Sequence, residues 1–163
     1  MIDEDLQARL GEQAAAGESR AKALELLASQ DVGFLAVGDN DGPYVVPVSF
    51  VYDGEDIYLH GGEGKKSRAL ETDPRACLAV MSGSDLIKGD TPCGDNVDSR
   101  TALVFGAVTR LDSPLQKDAA LRAVVAKYHP EAVTDPLDPR TIARTLVYRM
   151  EIRAVSYREL PGE

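Results

Sequence analysis

The sequence predicts a mainly β protein with flanking helices, in which about six antiparallel strands close into a small barrel. Three observations carry this. Apolar runs of strand length recur between turn clusters. Helical spacing is confined to the N-terminal end, a short segment before residue 72 and one stretch after Pro114. The regular strand–helix–strand alternation of a doubly wound fold is missing. Closure into a barrel removes exposed sheet edges.

Asp3 to Ala16 carries Leu6 and Leu10 at helical spacing and reads as a short, weakly amphipathic helix stopped by Gly17. Ser19 is an N-cap candidate for a second helix, Arg20 to Ser29, with Ala23, Leu24, Leu27 and Ala28 on one face. These features divide the chain into an N-terminal helical extension, 1–18, and a single domain, 19–163.

Three strands are expected between Gly33 and His60. Leu35, Val37, Val45, Val48, Phe50, Ile57 and Leu59 supply their apolar character. Asp39-Asn40-Asp41-Gly42 and Asp53-Gly54-Glu55 are turn chemistry between them. Ser67 to Glu71 reads as a short helix closed by Asp73-Pro74. Arg75 to Met81 is a fourth strand, nearly continuous in apolar residues, which predicts burial on both faces.

Ser82 to Asp98, rich in Gly, Asp and Pro, reads as a long loop, functional or mobile at that length. A fifth strand is expected over Thr101 to Leu111. Pro114 then opens a helix whose buried stripe is Leu115, Leu121, Val124, Val125 and Tyr128, and His129-Pro130 ends it. Glu131 to Arg140 reads as irregular. Thr145 to Tyr157 is the closing strand, alternating Leu146, Tyr148, Met150 and Ile152 with mostly polar neighbours.

The 163 residues suffice for a core without metals or disulfides. Hydrophobic residues make up 44% and charged residues 28%, the balance of a globular chain. A net charge of -9 opposes non-specific nucleic-acid binding. The acidic N-terminus lacks the apolar core of a signal peptide, and no apolar run is long enough to span a membrane. A cytoplasmic location is the expectation. Cys77 reads as a core residue and Cys93 as exposed, and neither lies at metal-ligand spacing.

The segment His60-Gly61-Gly62-Glu63-Gly64-Lys65-Lys66-Ser67 holds the chemistry. Glycines expose backbone N–H groups, and two lysines bring positive charge to a helix start, where the helix dipole disfavours cations. A bound anion removes that conflict; a solvated basic surface is the plain alternative. The segment is not a nucleotide-triphosphate loop, because Lys66 stands where the hydroxyl belongs and Leu59 where the first glycine belongs. His60 alone fits a structural histidine as well as a functional one. His129 sits at a helix C-terminus and suggests no catalysis. No serine–histidine–acid order is visible, so no catalytic side chain is assigned.

From Pro43 to Val80 the sequence resembles the flavin-binding split-barrel superfamily, the relatives of pyridoxamine 5′-phosphate oxidase, closest to the nitroimidazole-resistance branch. The resemblance rests on Pro47, Phe50 and Tyr52, then Ile57, Tyr58 and His60, then Gly64, Lys65 and Lys66, then Asp73-Pro74-Arg75-Ala76-Cys77, in that order and spacing. It covers Ser19 to Val80 well and the remainder more loosely. On a later strand Thr101 keeps the family's hydroxyl position, while Ser99 stands where a tyrosine is usual.

The resemblance implies a six-stranded antiparallel split β-barrel of Greek-key type. It implies flavin mononucleotide (FMN) in a cleft between two subunits of a homodimer, serving an oxidoreductase that acts on an unidentified small molecule. Val48, Ser49 and Phe50 would run along the flavin ring and ribityl chain, partly through backbone groups. His60, Lys65 and Lys66 would approach the phosphate, and Thr101 would come near from the later strand. Haem or a deazaflavin is the alternative cofactor, with His60 and His129 as the only histidines available to haem. A flavin-binding dimer without turnover is the non-catalytic alternative.

Overall fold

A computed structural model describes residues 17–160. The helix expected over Asp3 to Ala16 lies outside the described residues. Helix α1 spans Gly17–Ser29, three residues longer at its start than expected, so Ser19 lies inside its first turn. Strands β1 (Val32–Asp39), β2 (Gly42–Tyr52) and β3 (Asp56–Gly61) follow, then α2 (Lys65–Thr72) and β4 (Arg75–Ile87). A 3-10 turn at Pro92–Gly94 leads to β5 (Asn96–Arg110) and α3 (Pro114–Tyr128). A second 3-10 turn at Pro130–Ala132, α4 (Pro139–Arg144) and β6 (Leu146–Leu160) complete the described residues.

All pairings are antiparallel, and the strands close into a barrel in the order β1-β2-β3-β6-β5-β4, with β4 returning to β1. The two meanders, 1-2-3 and 6-5-4, are joined by the crossover through α2. The β2–β3 turn shows how sequence sets the register. Asp53 Oδ1 accepts from the Glu55 and Asp56 amides at 2.9 and 2.8 Å, and Gly54 takes the positive φ (+104°) that the turn needs.

Inward residues alternate along each strand. Leu35, Val37, Phe50, Ile57, Leu59, Leu78, Val80, Val104, Met150 and Val155 fill the barrel, and Ala23, Leu26 and Leu27 of α1 pack into the same core. Burying side chains of this size stabilises by roughly 1.5–3 kcal/mol each before entropy is charged. One bulge interrupts the alternation of β6. Phe105 pairs with Ala154 and Gly106 with Ile152, so Arg153 is the extra residue and the buried side passes from Met150 to Val155. A Cβ on Gly106 would lie 2.0 Å from the Glu151 carbonyl oxygen, so only glycine fits there.

Three expectations are corrected. β4 is not buried on both faces: Ala76, Leu78 and Val80 point inward, but Met81 on the outer side is 51% exposed. Residues 82–98 are not all loop: only 88–95 connect the strands. β4 and β5 continue past the barrel as a two-stranded ribbon, pairing Asp85 with Asp98, Leu86 with Val97 and Ile87 with Asn96, after a register shift between Ser82 and Asp85. Backbone pairing overrides weak strand composition there. Leu115 is 79% exposed and takes no part in the α3 stripe; Ala120 and Leu121 are buried, while Val124, Val125 and Tyr128 are half-buried. The segment expected to be irregular begins inside the 3-10 turn, and its last two residues open α4, whose N-cap Asp138 accepts from the Arg140 and Thr141 amides.

Candidate functional site

One seam of the barrel is paired along only part of its length. β2 pairs with β3 only over Phe50–Leu59, Val51–Tyr58 and Tyr52–Ile57, while its first half pairs with β1 alone. Pro43 and Pro47 occupy that half, where the missing N–H costs no β2–β3 bond. Ser49 and His60 each lie one residue beyond the last β2–β3 pair and on the outer face. Gly61–Gly64 and α2 follow directly, so the glycine–lysine segment sits at the seam.

From there the ladders carry a row across the outside of the barrel. His60 of β3 lies beside Ser49 of β2, which pairs with Val32 of β1. Val32 is two residues past the Phe34–Ala79 pair, which brings it level with Met81 of β4. Met81 pairs with Thr101 of β5. The row links three of the sequence-predicted residues, His60, Ser49 and Thr101, through an apolar middle. Phe34, 54% exposed, and Val45, also exposed, widen the apolar strip beside it.

At the polar end Lys66 turns back over β3. Its Nζ donates to the His60 carbonyl at 3.4 Å, and a Cβ on Gly61 would come within 3.2 Å of that ammonium. Half-burial lowers the Lys66 pKa from its ordinary value. Burial first, and the Lys66 charge second, lower that of His60. The His60 Nδ1 atom is buried with no hydrogen-bond partner among the described residues. Ser67 is buried and ties the start of α2: its Oγ accepts from the Gly64 amide at 2.8 Å and donates to the Gly64 carbonyl at 2.9 Å. The Lys65 and Lys66 amides in the first turn have no partner inside the helix.

The remaining predicted residues are placed differently. Lys65 points away from Lys66, to Asp39 at 3.0 Å and Asp41 at 3.9 Å, with its ammonium 5.3 Å from the Tyr44 ring centre. The Asp39 pair raises the Lys65 pKa, and Asp39 is lowered in turn. Val48 and Phe50 point into the barrel core. The Phe50 backbone is engaged as well. Its N–H donates to the Tyr128 hydroxyl at 3.0 Å, and its carbonyl faces Tyr128 Oη at 2.7 Å and Lys127 Nζ at 3.1 Å. His129 lies at the end of α3 with Glu131, apart from the row.

Lys127, Tyr128 and Ser67 were given no site role from sequence, Tyr128 being read only as part of the α3 stripe. Ser67 carried a readable signal, a hydroxyl three residues after the helix-opening Gly64. For Lys127 and Tyr128 there was none, because their partners lie on the order of 80–100 residues away in sequence.

The constellation fits a phosphorylated planar ligand: first-turn amides, a partly desolvated ammonium and an unpartnered imidazole nitrogen at one end, and an open apolar strip beside them. Among the described residues no group of histidine, cysteine and acidic side chains could hold a metal ion, and no helix is long and apolar enough to cross a membrane.

The family model described as pyridoxamine 5′-phosphate oxidase matches residues 19–159. No curated protein matches. Among solved structures, a candidate 5-nitroimidazole antibiotic resistance protein from Bacteroides thetaiotaomicron is similar at 24% identity and a TM-score of 0.72, over 86% of this chain and 83% of that one. A FAD-binding protein from Mesorhizobium loti is 25% identical with a TM-score of 0.65, over 87% and 95% of the two chains. The FAD and heme binding protein from Mycobacterium smegmatis is 18% identical with a TM-score of 0.75, over 92% and 74%.

Proposed function

Since this chain belongs to the pyridoxamine 5′-phosphate oxidase family, we propose that it binds FMN and serves as an FMN-dependent oxidoreductase for a small molecule. The observation that carries the reading is the transverse row from His60 through Ser49, Val32 and Met81 to Thr101, with Lys66 and the α2 amides at its polar end. Lys66, the first-turn amides and His60 would hold the phosphate; Ser49 and Thr101 would offer hydroxyls along the ring. Bound flavin would supply the electron transfer, and this chain's residues would orient it and keep water from one face.

The same strip supports a homodimer. Val32, Phe34, Val45 and Met81 are each about half exposed on one continuous face, an arrangement a soluble monomer rarely keeps. A second copy laid on that face would cover them and turn the row into a cleft.

The test is a spectrum of the purified protein, mass identification of whatever denaturation releases, and fluorescence titration with FMN. Saturable FMN binding and reduction by a nicotinamide cofactor, with reoxidation by an acceptor, support the reading. A colourless protein that does not bind FMN overturns it. Binding without turnover leaves a flavin-binding dimer instead. Haem is the second reading, favoured by the unpartnered His60 Nδ1 and by the haem-binding relative from Mycobacterium smegmatis. A Soret shift on haem titration, lost in His60→Ala, would select it.

A further inference from the structure

A cavity of about 420 Å³ lies between α3 and the outer wall of β3, β6 and β5, and it shares no residue with the row described above. Its floor is a second transverse row. Tyr58 pairs with Arg149, and Arg149 pairs with Thr109, all on the outer face. Its opposite wall is α3, where Ala119, Ala120 and Ala123 leave the space that larger side chains would fill. The volume is within the range of small-molecule sites.

Hydrogen-bonding capacity in this cavity is unbalanced. Its one acidic lining residue, Asp53, accepts the Glu55 and Asp56 amides of its own turn through Oδ1. Arg110 is held by Asp112 at 3.2 Å and Glu71 at 3.6 Å. Arg149, by contrast, approaches Asp56 no closer than 3.6 Å, through Nε, too long for a good hydrogen bond, and its side chain donates no hydrogen bond among the described residues. The Gln116 amide and Thr109 hydroxyl have no partner there either. Donors therefore converge on the space beside an apolar wall of alanines and Leu111.

We propose that this groove is a second binding site, for a small carboxylate with a compact apolar body. The Arg149 fork matches the two carboxylate oxygens, whose recognition is bidentate and charge-assisted. The alanine wall takes the apolar body, and Gln116 meets a polar substituent. The mouth is polar and charged, unlike the apolar strip assigned to a second copy, so a small solute is its occupant. This site does not depend on the flavin reading.

The experiment is an amide NMR titration of the full chain with benzoate, and with benzylamine as the control of opposite charge. Saturable shifts should cluster at Tyr58, Thr109, Ala120, Ala123 and Arg149 for benzoate and be absent for benzylamine. Arg149→Met, which keeps the aliphatic stem, should weaken benzoate at least tenfold. Ala123→Leu, which fills the groove without touching charge, should do the same and decides the matter if the arginine variant fails to fold. Non-saturable or scattered shifts, equal binding of benzylamine, or an unchanged Kd in both variants would overturn the proposal.

Discussion

The Tyr128 hydroxyl accepts the Phe50 amide proton at 3.0 Å while facing the carbonyls of Phe50 and Asp31 at 2.7 Å each. One proton serves two carbonyls there, and Lys127 completes the set, donating to Gln30 at 2.6 Å and lying 4.4 Å from the Phe50 ring centre. The end of α3 thus fastens the α1–β1 junction to β2, next to the strand position that carries Ser49. Tyr128→Phe removes both the acceptor and the donor and strands a buried N–H. We expect a loss of about 1–3 kcal/mol in urea unfolding. A change below about 0.5 kcal/mol would mean that this contact is dispensable.

The two lysines of the seam should separate in a binding assay. Lys66→Ala should weaken FMN by about 1–3 kcal/mol, the range for a charge-assisted contact. Lys65→Ala should change it little, because Asp39 and Asp41 already occupy that ammonium. Fluorescence titration of both variants checks this; equal losses would place Lys65 at the phosphate after all.

His60 should titrate below the ordinary histidine range, since burial and the Lys66 charge both oppose its protonation. The folded state therefore binds this proton less readily than the unfolded chain, which takes it up near pH 6.5. The stabilising contribution is present above that pH and is lost as pH falls through the folded value. A carbon-detected NMR titration of the ring gives the midpoint, which should rise in Lys66→Met. An unshifted midpoint near 6.5 in the wild type would contradict the buried placement.

Phe34→Glu puts a charge in the middle of the exposed apolar strip without touching the barrel core. In light-scattering chromatography we expect a dimeric wild type and a monomeric variant, with FMN affinity falling in step. A dimeric variant would move the interface elsewhere.

Gly106→Ala tests the β6 bulge. The added Cβ would collide with the Glu151 backbone oxygen, which no rotamer can relieve. Loss of about 3 kcal/mol or more, or failure to accumulate as soluble protein, is expected. Gly61→Ala is the contrast, because its nearest neighbour is the mobile end of Lys66 and should yield.

Much of this was readable because the signals were local. Turn residues at Asp39–Gly42 and Asp53–Glu55, and period-two alternation in the opening strands, define elements whose partners lie close in sequence. The run Arg75 to Met81 misled for a physical reason. Continuous apolarity implies two faces away from water, whereas here the inner face is buried and the outer one is covered only in part, Cys77 and Ala79 being half-buried and Met81 exposed. The ribbon beyond it was hidden by its composition, since glycine, serine and aspartate hide a strand that is defined only by pairing with β5. For the site, glycine and lysine spacing located the seam, but two adjacent lysines on a helix start diverge in direction by about 100°, a consequence of 3.6 residues per turn. Their separate partners, Asp39 for one and the His60 carbonyl for the other, follow from that divergence and not from any motif.

The ribbon has one more effect. Its rails hold Asp85 and Asp98 directly opposite each other, and Asp90 and Asp95 lie near its tip. Facing carboxylates repel, so the hairpin is zipped more weakly than the staves it extends. The same charges repel a foreign strand approaching either rail, which guards the protruding stretch against runaway polymerisation.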